Sequence, residues 1–346
     1  MIFGEIIKHR GINMKKAILY ILFSAIFFST MEIVIKFMSS EFNSIQLNLL
    51  RFFIGAIILA PLALRHMKAK TFKFTKESLL FFILTGFLCV VISMTFYQLA
   101  IVFTKASTVA ILFSCNPLFV IPLAHFFLKE SFSKLTFLAL FISFIGIVSI
   151  INPFEASNPI GIIFALVSAI TFALYGVIGK KGSQQYKCDG VILTCFSFLT
   201  GSIEILVLIL VSKISFVSSW LTQIGLSMFA DVSIFHGITW NSLPSLLYIG
   251  VFVTGLGFTL YFLAMDETSA TTASIVFFIK PALAPILAFF FLHEAITVNV
   301  VIGILCIMFG SYLTLRVSKK DRQHQVQHAA VQFNRGKKQE AGTKVY

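Results

Sequence analysis

Charge is scarce in this chain. Only 12% of its 346 residues are charged, while 58% are hydrophobic and phenylalanine alone occurs 41 times. That composition excludes an ordinary water-soluble globular domain. The five cysteines, Cys89, Cys115, Cys188, Cys195 and Cys306, form no CxxC pair and lie in or beside apolar runs. Neither a disulfide framework nor a metal site is expected from them. The chain has no GxxxxGK[ST] phosphate loop, no GxSxG and no HExxH. ATP drive and hydrolase chemistry therefore lack a basis, and no cofactor is expected. The formal net charge of +13 does not imply nucleic acid. The lysines and arginines sit mostly between apolar runs, where cytoplasmic loops and anionic lipid account for them.

What the chain does have is a duplication. Shifted by 164 positions, Tyr97 falls on Tyr261, Ala106 on Ala270, Pro117 on Pro281, Glu130 on Glu294 and Gly146 on Gly310. Of the 50 pairs in this window, 16 are identical without a gap. Each copy holds a polar start, about 20 apolar residues with a central proline, and then a glutamate. Twenty residues at about 1.5 Å each cross about 30 Å of hydrocarbon. A second register, with a shift of 144, places Leu22, Ser24, Ala25, Phe28 and Lys36 on Leu166, Ser168, Ala169, Phe172 and Lys180. The shift grows where the second half carries an insertion at about 213–242, which holds Trp220, Phe229, Phe235 and Trp240. An interfacial helix or a plain ordered loop suits it equally.

These patterns predict an all-α integral membrane protein. Ten transmembrane helices are expected, at about 17–38, 45–64, 78–99, 106–128, 134–151, 159–179, 190–212, 243–264, 270–292 and 297–316. Residues 1–16 read as a cytoplasmic N-terminal segment, with Met1 or Met14 as the start. Residues 17–151 form a first five-helix repeat, 159–316 a second, and 317–346 a basic cytoplasmic tail. An odd number of spans per repeat makes the two halves enter from opposite sides, an inverted repeat around a central cavity. Lysine and arginine crowd the connections 65–77, 129–134 and 180–189, which puts both termini in the cytoplasm. The Asp266-Glu267 connection lacks a base and fits this pattern least.

The paired proline-centred spans ending in Leu128-Lys129-Glu130 and Leu292-His293-Glu294, with Asn48-Leu49-Leu50-Arg51-Phe52 in the second span, resemble the drug/metabolite transporter superfamily, EamA type. The resemblance covers about 17–316. It implies a ten-helix bundle that moves small organic solutes by alternating access, by export or uptake. The second half departs from the pattern, because Cys195 stands where the repeat would place a counterpart of Arg51.

Ionisable groups inside a bilayer cost roughly 2.5–3.5 kcal/mol at a helix centre and mark function. Lys280 precedes Pro281 at mid-span, and Asn116 precedes Pro117 in the matching place. Proline frees carbonyls of the preceding turn, so both helices are expected to be interrupted beside a cavity. Lys280, Asn116, Tyr97, Tyr261 and Ser269 are the candidate substrate-binding residues. Glu32, Arg51 and Glu204 are candidates for gating or proton coupling, with a Glu32–Arg51 pair expected across the first two helices. The competing readings are a fixed structural ion pair for Glu32, snorkelling for Lys36, and interfacial capping for Glu130 and Glu294. The small-residue face of Gly303 and Gly310 suits packing or a homodimer.

The sequence thus reads as a secondary active transporter of a small anionic or zwitterionic, amino-acid-like metabolite in a bacterial plasma membrane. The alternatives are a membrane-embedded enzyme acting on a lipid-linked substrate, a drug exporter of broad specificity, and a scaffold. No enzymatic activity is expected.

Overall fold

The structure, a computed structural model, describes residues 14–130, 134–151, 158–306, 308–310 and 313. The segment before Met14, the connection 152–157 and the basic tail lie outside the described residues. Helices and their connections account for the described chain, and no strand occurs among those residues. In chain order the helices are α1 (Met14–Met38), α2 (Ser44–Lys70), α3 (Lys76–Phe103), α4 (Ala106–Leu128), α5 (Lys134–Ile151) and α6 (Pro159–Tyr186). Then come α7 (Gly190–Ser212), α8 (Ser215–Gln223), α9 (Leu243–Glu267), α10 (Val276–Leu292) and α11 (Val298–Gly310).

Seven of these, α1 to α4, α6, α7 and α9, are long and apolar enough to cross a membrane. The apolar stretches Phe137–Gly146, Ile279–Leu292 and Val298–Gly310 in α5, α10 and α11 are shorter. One reason is visible at α10. A four-residue helix, Ala270–Ala273, is split from it by a turn at Ser274 and Ile275, which leaves 17 residues in one piece.

Local chemistry sets the boundaries. Asn43 caps α2, and Gln46 returns a hydrogen bond to the cap backbone, so two orphan amides are satisfied. Lys68 and Lys70 close the same helix, where the dipole favours cations. Helix α4 breaks at Ser114 and Cys115, directly ahead of Asn116 and Pro117. Pro117 therefore opens the second piece, where its missing N–H leaves no bond unmade. Helix α10 instead runs on through Pro281 and Pro285, with its break upstream.

Helices α3 and α9 widen into π-helical turns at Phe87–Ser93 and Tyr248–Gly257. Such widening clusters at functional sites. It begins beside Gly86 in α3 and includes Gly250 in α9, two residues related by the 164 shift. A Cβ on Gly86 would lie 2.6 Å from the backbone nitrogen of Gly201, and one on Gly250 would lie 2.7 Å from the Ile54 side chain. Glycine is what lets α3 meet α7, and α9 meet α2, this closely.

The insertion holds α8 and then an irregular segment, so it contains both a helix and a plain ordered stretch. Asn43 Nδ2 donates to Met228 O at 2.8 Å, and Gln46 Nε2 donates to Ile234 O and His236 O at 3.0 and 2.6 Å. The start of α2 thereby anchors the insertion, while Phe216, Trp220, Phe235 and Trp240 stay exposed. Gly310 of α11 packs against Ala139 and Ser143 of α5, so packing within the chain uses that small residue.

Candidate functional site

Glu32 of α1, Tyr97 of α3 and Lys280 of α10 meet in the core, each no more than 1% exposed. Lys280 Nζ forms an ion pair with Glu32 Oε1 and donates to Tyr97 Oη at 2.9 Å. Tyr97 Oη in turn donates to the same Glu32 oxygen. The ammonium also stands over the rings of Phe113 and Tyr97, 5.1 and 5.2 Å from their centroids. Taking each ion out of water costs several kcal/mol, and pairing with full hydrogen bonding is what offsets it. The offset is incomplete, because Glu32 Oε2 has no partner among the described residues.

Arg51 does not form the expected pair with Glu32. It is completely buried, yet its Nε and Nη2 donate to Asn48 Oδ1 at 3.2 and 3.0 Å. Its Nη1 reaches Met31 Sδ at 3.5 Å, and its guanidinium stacks on Phe52, 4.6 Å from the ring centroid. Lys280, from the distant end of the chain, takes the carboxylate instead. The reason is reach, since Asn48 lies three residues before Arg51 on the same helix face and engages its fork locally. Gln98 Nε2 also donates to Asn48 Oδ1 at 2.8 Å, and Asn48 Nδ2 donates to Val90 O at 2.6 Å. Sequence reasoning missed Asn48 and Gln98. The i, i+3 spacing of Asn48 and Arg51 was the available signal.

Glu32, Lys280 and Arg51 thus occupy one region of the interior, within electrostatic reach of each other. They comprise two cations and one carboxylate. Among the described residues no ion pair is made by Arg51, so by formal charge the centre holds one cation more than it holds carboxylates.

The remaining candidates lie elsewhere. Asn116 is fully buried and donates from Nδ2 to Ala169 O at 3.0 Å. Tyr261 is fully buried, and its hydroxyl has no hydrogen-bond partner among the described residues. Ser269 caps the turn Ala270–Ala273 by accepting from Thr272 N at 3.0 Å. Glu204 of α7 has no hydrogen-bond partner for either oxygen among the described residues and is not part of the Glu32 cluster. Lys36 turns inward rather than snorkelling, donating to Ile101 O at 2.9 Å at the end of α3. Its counterpart Lys180 donates to Met265 O at 2.6 Å at the end of α9. Each lysine closes a helix C-terminus, where the dipole favours a cation.

The two repeated glutamates close helix starts across the molecule. Glu130, just after α4, accepts from the amides of Ala270 and Thr271 at 3.1 and 3.3 Å and from Thr271 Oγ1 at 2.7 Å. Glu294, just after α10, accepts from the amides of Ala106 and Ser107 at 3.0 and 3.1 Å and from the Ser107 hydroxyl. Each carboxylate satisfies orphan amides that a helix start leaves unpaired.

Comparison with known proteins gives a consistent result. The profile described as the EamA-like transporter family matches residues 15–152 and again 159–316. An uncharacterized transporter of Clostridium kluyveri is 42% identical over 316 residues, covering 89% of this chain and 95% of that protein. An S-adenosylmethionine uptake transporter of Rickettsia felis is 29% identical over 163 residues, 47% of this chain and 54% of that protein. A solved crystal structure with 14% identity covers 88% of this chain and 98% of its own at a TM-score of 0.61, which speaks to the fold alone.

Proposed function

The chain belongs to the EamA-like transporter family, and on that premise we propose a secondary active transporter that carries a small zwitterionic or anionic metabolite by alternating access. Family membership makes it a membrane transporter of a small-molecule solute rather than an enzyme. The proposed frame has ten spans in two inverted five-helix repeats, in a plasma membrane, with both termini cytoplasmic. The double match of the family profile and the shorter apolar helices α5, α10 and α11 support that frame.

One observation carries the substrate reading: two buried cations, Lys280 and Arg51, stand beside one buried carboxylate, and only Lys280 pairs with it. A solute carboxylate takes Lys280, and a solute ammonium takes Glu32, whose second oxygen has no partner among the described residues. A zwitterion satisfies both. The relative named for S-adenosylmethionine makes that amino acid, which carries an added sulfonium charge, the first probe. Protonation of Glu32 releases Lys280 and gives the site a route to proton coupling. The reciprocal caps act as gates. Under the proposed topology the Glu130 cap closes the cytoplasmic end and the Glu294 cap the outer end. Alternating access then means opening one cap while the other holds.

Lys280→Met keeps length and apolarity. In purified protein it is expected to abolish S-adenosylmethionine binding, because a lost partner for a buried anion costs on the order of 2–5 kcal/mol, or about thirty-fold or more in Kd. Lys280→Arg is expected to fall between. If the pair is only structural, Lys280→Met destabilises the fold and Glu32→Gln with Lys280→Met restores both Tm and transport. Wild-type affinity in a stable Lys280→Met protein overturns the site.

A further inference from the structure

The two registers of the duplication relate the charged site to a second place in the core. The 164 shift takes Tyr97 to Tyr261 and Asn116 to Lys280, and the 144 shift takes Glu32 to Gly176. The contact survives while the charges are gone. Glu32 accepts from the Tyr97 hydroxyl. Gly176 faces the Tyr261 hydroxyl, and a Cβ on it would lie 3.3 Å from that oxygen. The Tyr261 ring is fully buried and its hydroxyl has no hydrogen-bond partner among the described residues. Asn116 Oδ1 is likewise buried and unpartnered. Unpaired buried polar atoms are a standing cost to a fold, and native proteins keep few without a reason.

The two places are joined by aromatic rings. Ring centroids lie 4.8 Å apart from Tyr97 to Phe113, 5.5 Å from Phe113 to Phe277 and 5.4 Å from Phe277 to Tyr261. Phe113 and Phe277 are themselves related by the 164 shift. The ladder of rings therefore ends in the ionic cluster at one side and in a phenol facing a glycine at the other, while Asn116, which the 164 shift relates to Lys280, keeps a buried amide oxygen without a partner among the described residues.

We propose that Tyr261, Asn116 and Gly176 form an uncharged second pole of the transport site, which hydrogen-bonds the neutral polar group of a solute whose charged head is held at Glu32 and Lys280. The inference rests on the charged pair being the substrate site. The chemistry selects the group. With lysine exchanged for asparagine and glutamate for glycine, nothing in this triad neutralises an anion or a cation. A phenol that donates and an amide oxygen that accepts suit a hydroxyl, a carboxamide or a heteroaromatic nitrogen. Glycine at 176 lets the backbone approach the Tyr261 hydroxyl closely, where a Cβ would crowd it at 3.3 Å.

The test uses the full-length protein and two matched zwitterion pairs: L-tyrosine against L-phenylalanine, and L-glutamine against L-norleucine. Wild type is expected to bind the polar-tailed member of at least one pair tenfold or more tightly. Tyr261→Phe and Gly176→Ala are expected to erase that contrast and leave the apolar-tailed member unchanged. No contrast in any pair, a contrast that survives Tyr261→Phe, or equal weakening of both members overturns the proposal. A second arm needs no ligand. Tyr261→Phe is expected to hold or raise Tm, because its hydroxyl bonds nothing among the described residues, while Tyr97→Phe lowers it. A fall in Tm with Tyr261→Phe equal to that with Tyr97→Phe overturns the proposal as well. Binding of every probe unaffected by Lys280→Met refutes the charged-head reading alone, and the Tyr261 arms still decide this one.

Discussion

Tyr97 holds the ionic site in register, because its one hydroxyl touches both the ammonium and the carboxylate. Tyr97→Phe removes a hydrogen bond to charged groups, which is worth roughly 1.5–3 kcal/mol. The expected outcome is a stable protein with a Tm lowered by several degrees and weaker S-adenosylmethionine binding, read by thermal melting and binding on the same sample. Cys188, between α6 and α7, is a contrasting residue. Burial pushes its thiol up to about 11, against its hydrogen bond with Ser183. A thiol two units above the ordinary 9 holds roughly a hundredth of the usual thiolate near neutrality. Maleimide at pH 7.5 is therefore expected to label Cys188 far more slowly than an exposed cysteine introduced at Gln223. Equal rates would contradict the burial.

Elements carry the gating argument. Glu130→Gln keeps shape and one acceptor oxygen but loses the charge that the helix start prefers, typically about 0.3–1 kcal/mol. It is expected to raise accessibility at the cytoplasmic end only, and Glu294→Gln at the outer end only. Cysteine labelling at Thr268 and at Thr104, measured in each variant, separates the two. Opening of both ends by either substitution sinks the one-gate-per-end assignment. The glutamates were visible in the sequence because the repeat aligned them, and capping was one of the readings open there. Their exchange between halves was not visible, since a carboxylate after one helix says nothing about which distant helix starts beside it. The same limit explains the Glu32 partner. Arg51 looked closer along the chain, but side-chain reach and the local hold of Asn48 decide, and neither is written in spacing alone.

At the scale of the molecule, composition, the duplication and apolar length gave the membrane class and most span positions, because a bilayer demands internally satisfied backbone. The insertion's anchoring onto α2 was not readable, as it depends on side-chain amides of Asn43 and Gln46 meeting carbonyls about 190 residues on. Single cysteines at Lys70 and Gln223, in a background lacking the native five, are expected to react with an impermeant reagent from opposite sides. Reaction of both from outside intact cells refutes the inverted frame.

The reciprocal caps also impose an order on synthesis. The amides of Ala106 and Ser107 wait for Glu294, which leaves the ribosome 188 and 187 residues later. At roughly 5–20 residues per second, that delay is on the order of 10–40 s. For that interval the newly inserted first half has a helix start with no carboxylate to close it. A chain that stops before residue 294 never closes it, so the first half released alone is a natural target for quality-control proteolysis. The second half has the opposite experience, because Glu130 is already in place when Ala270 and Thr271 arrive.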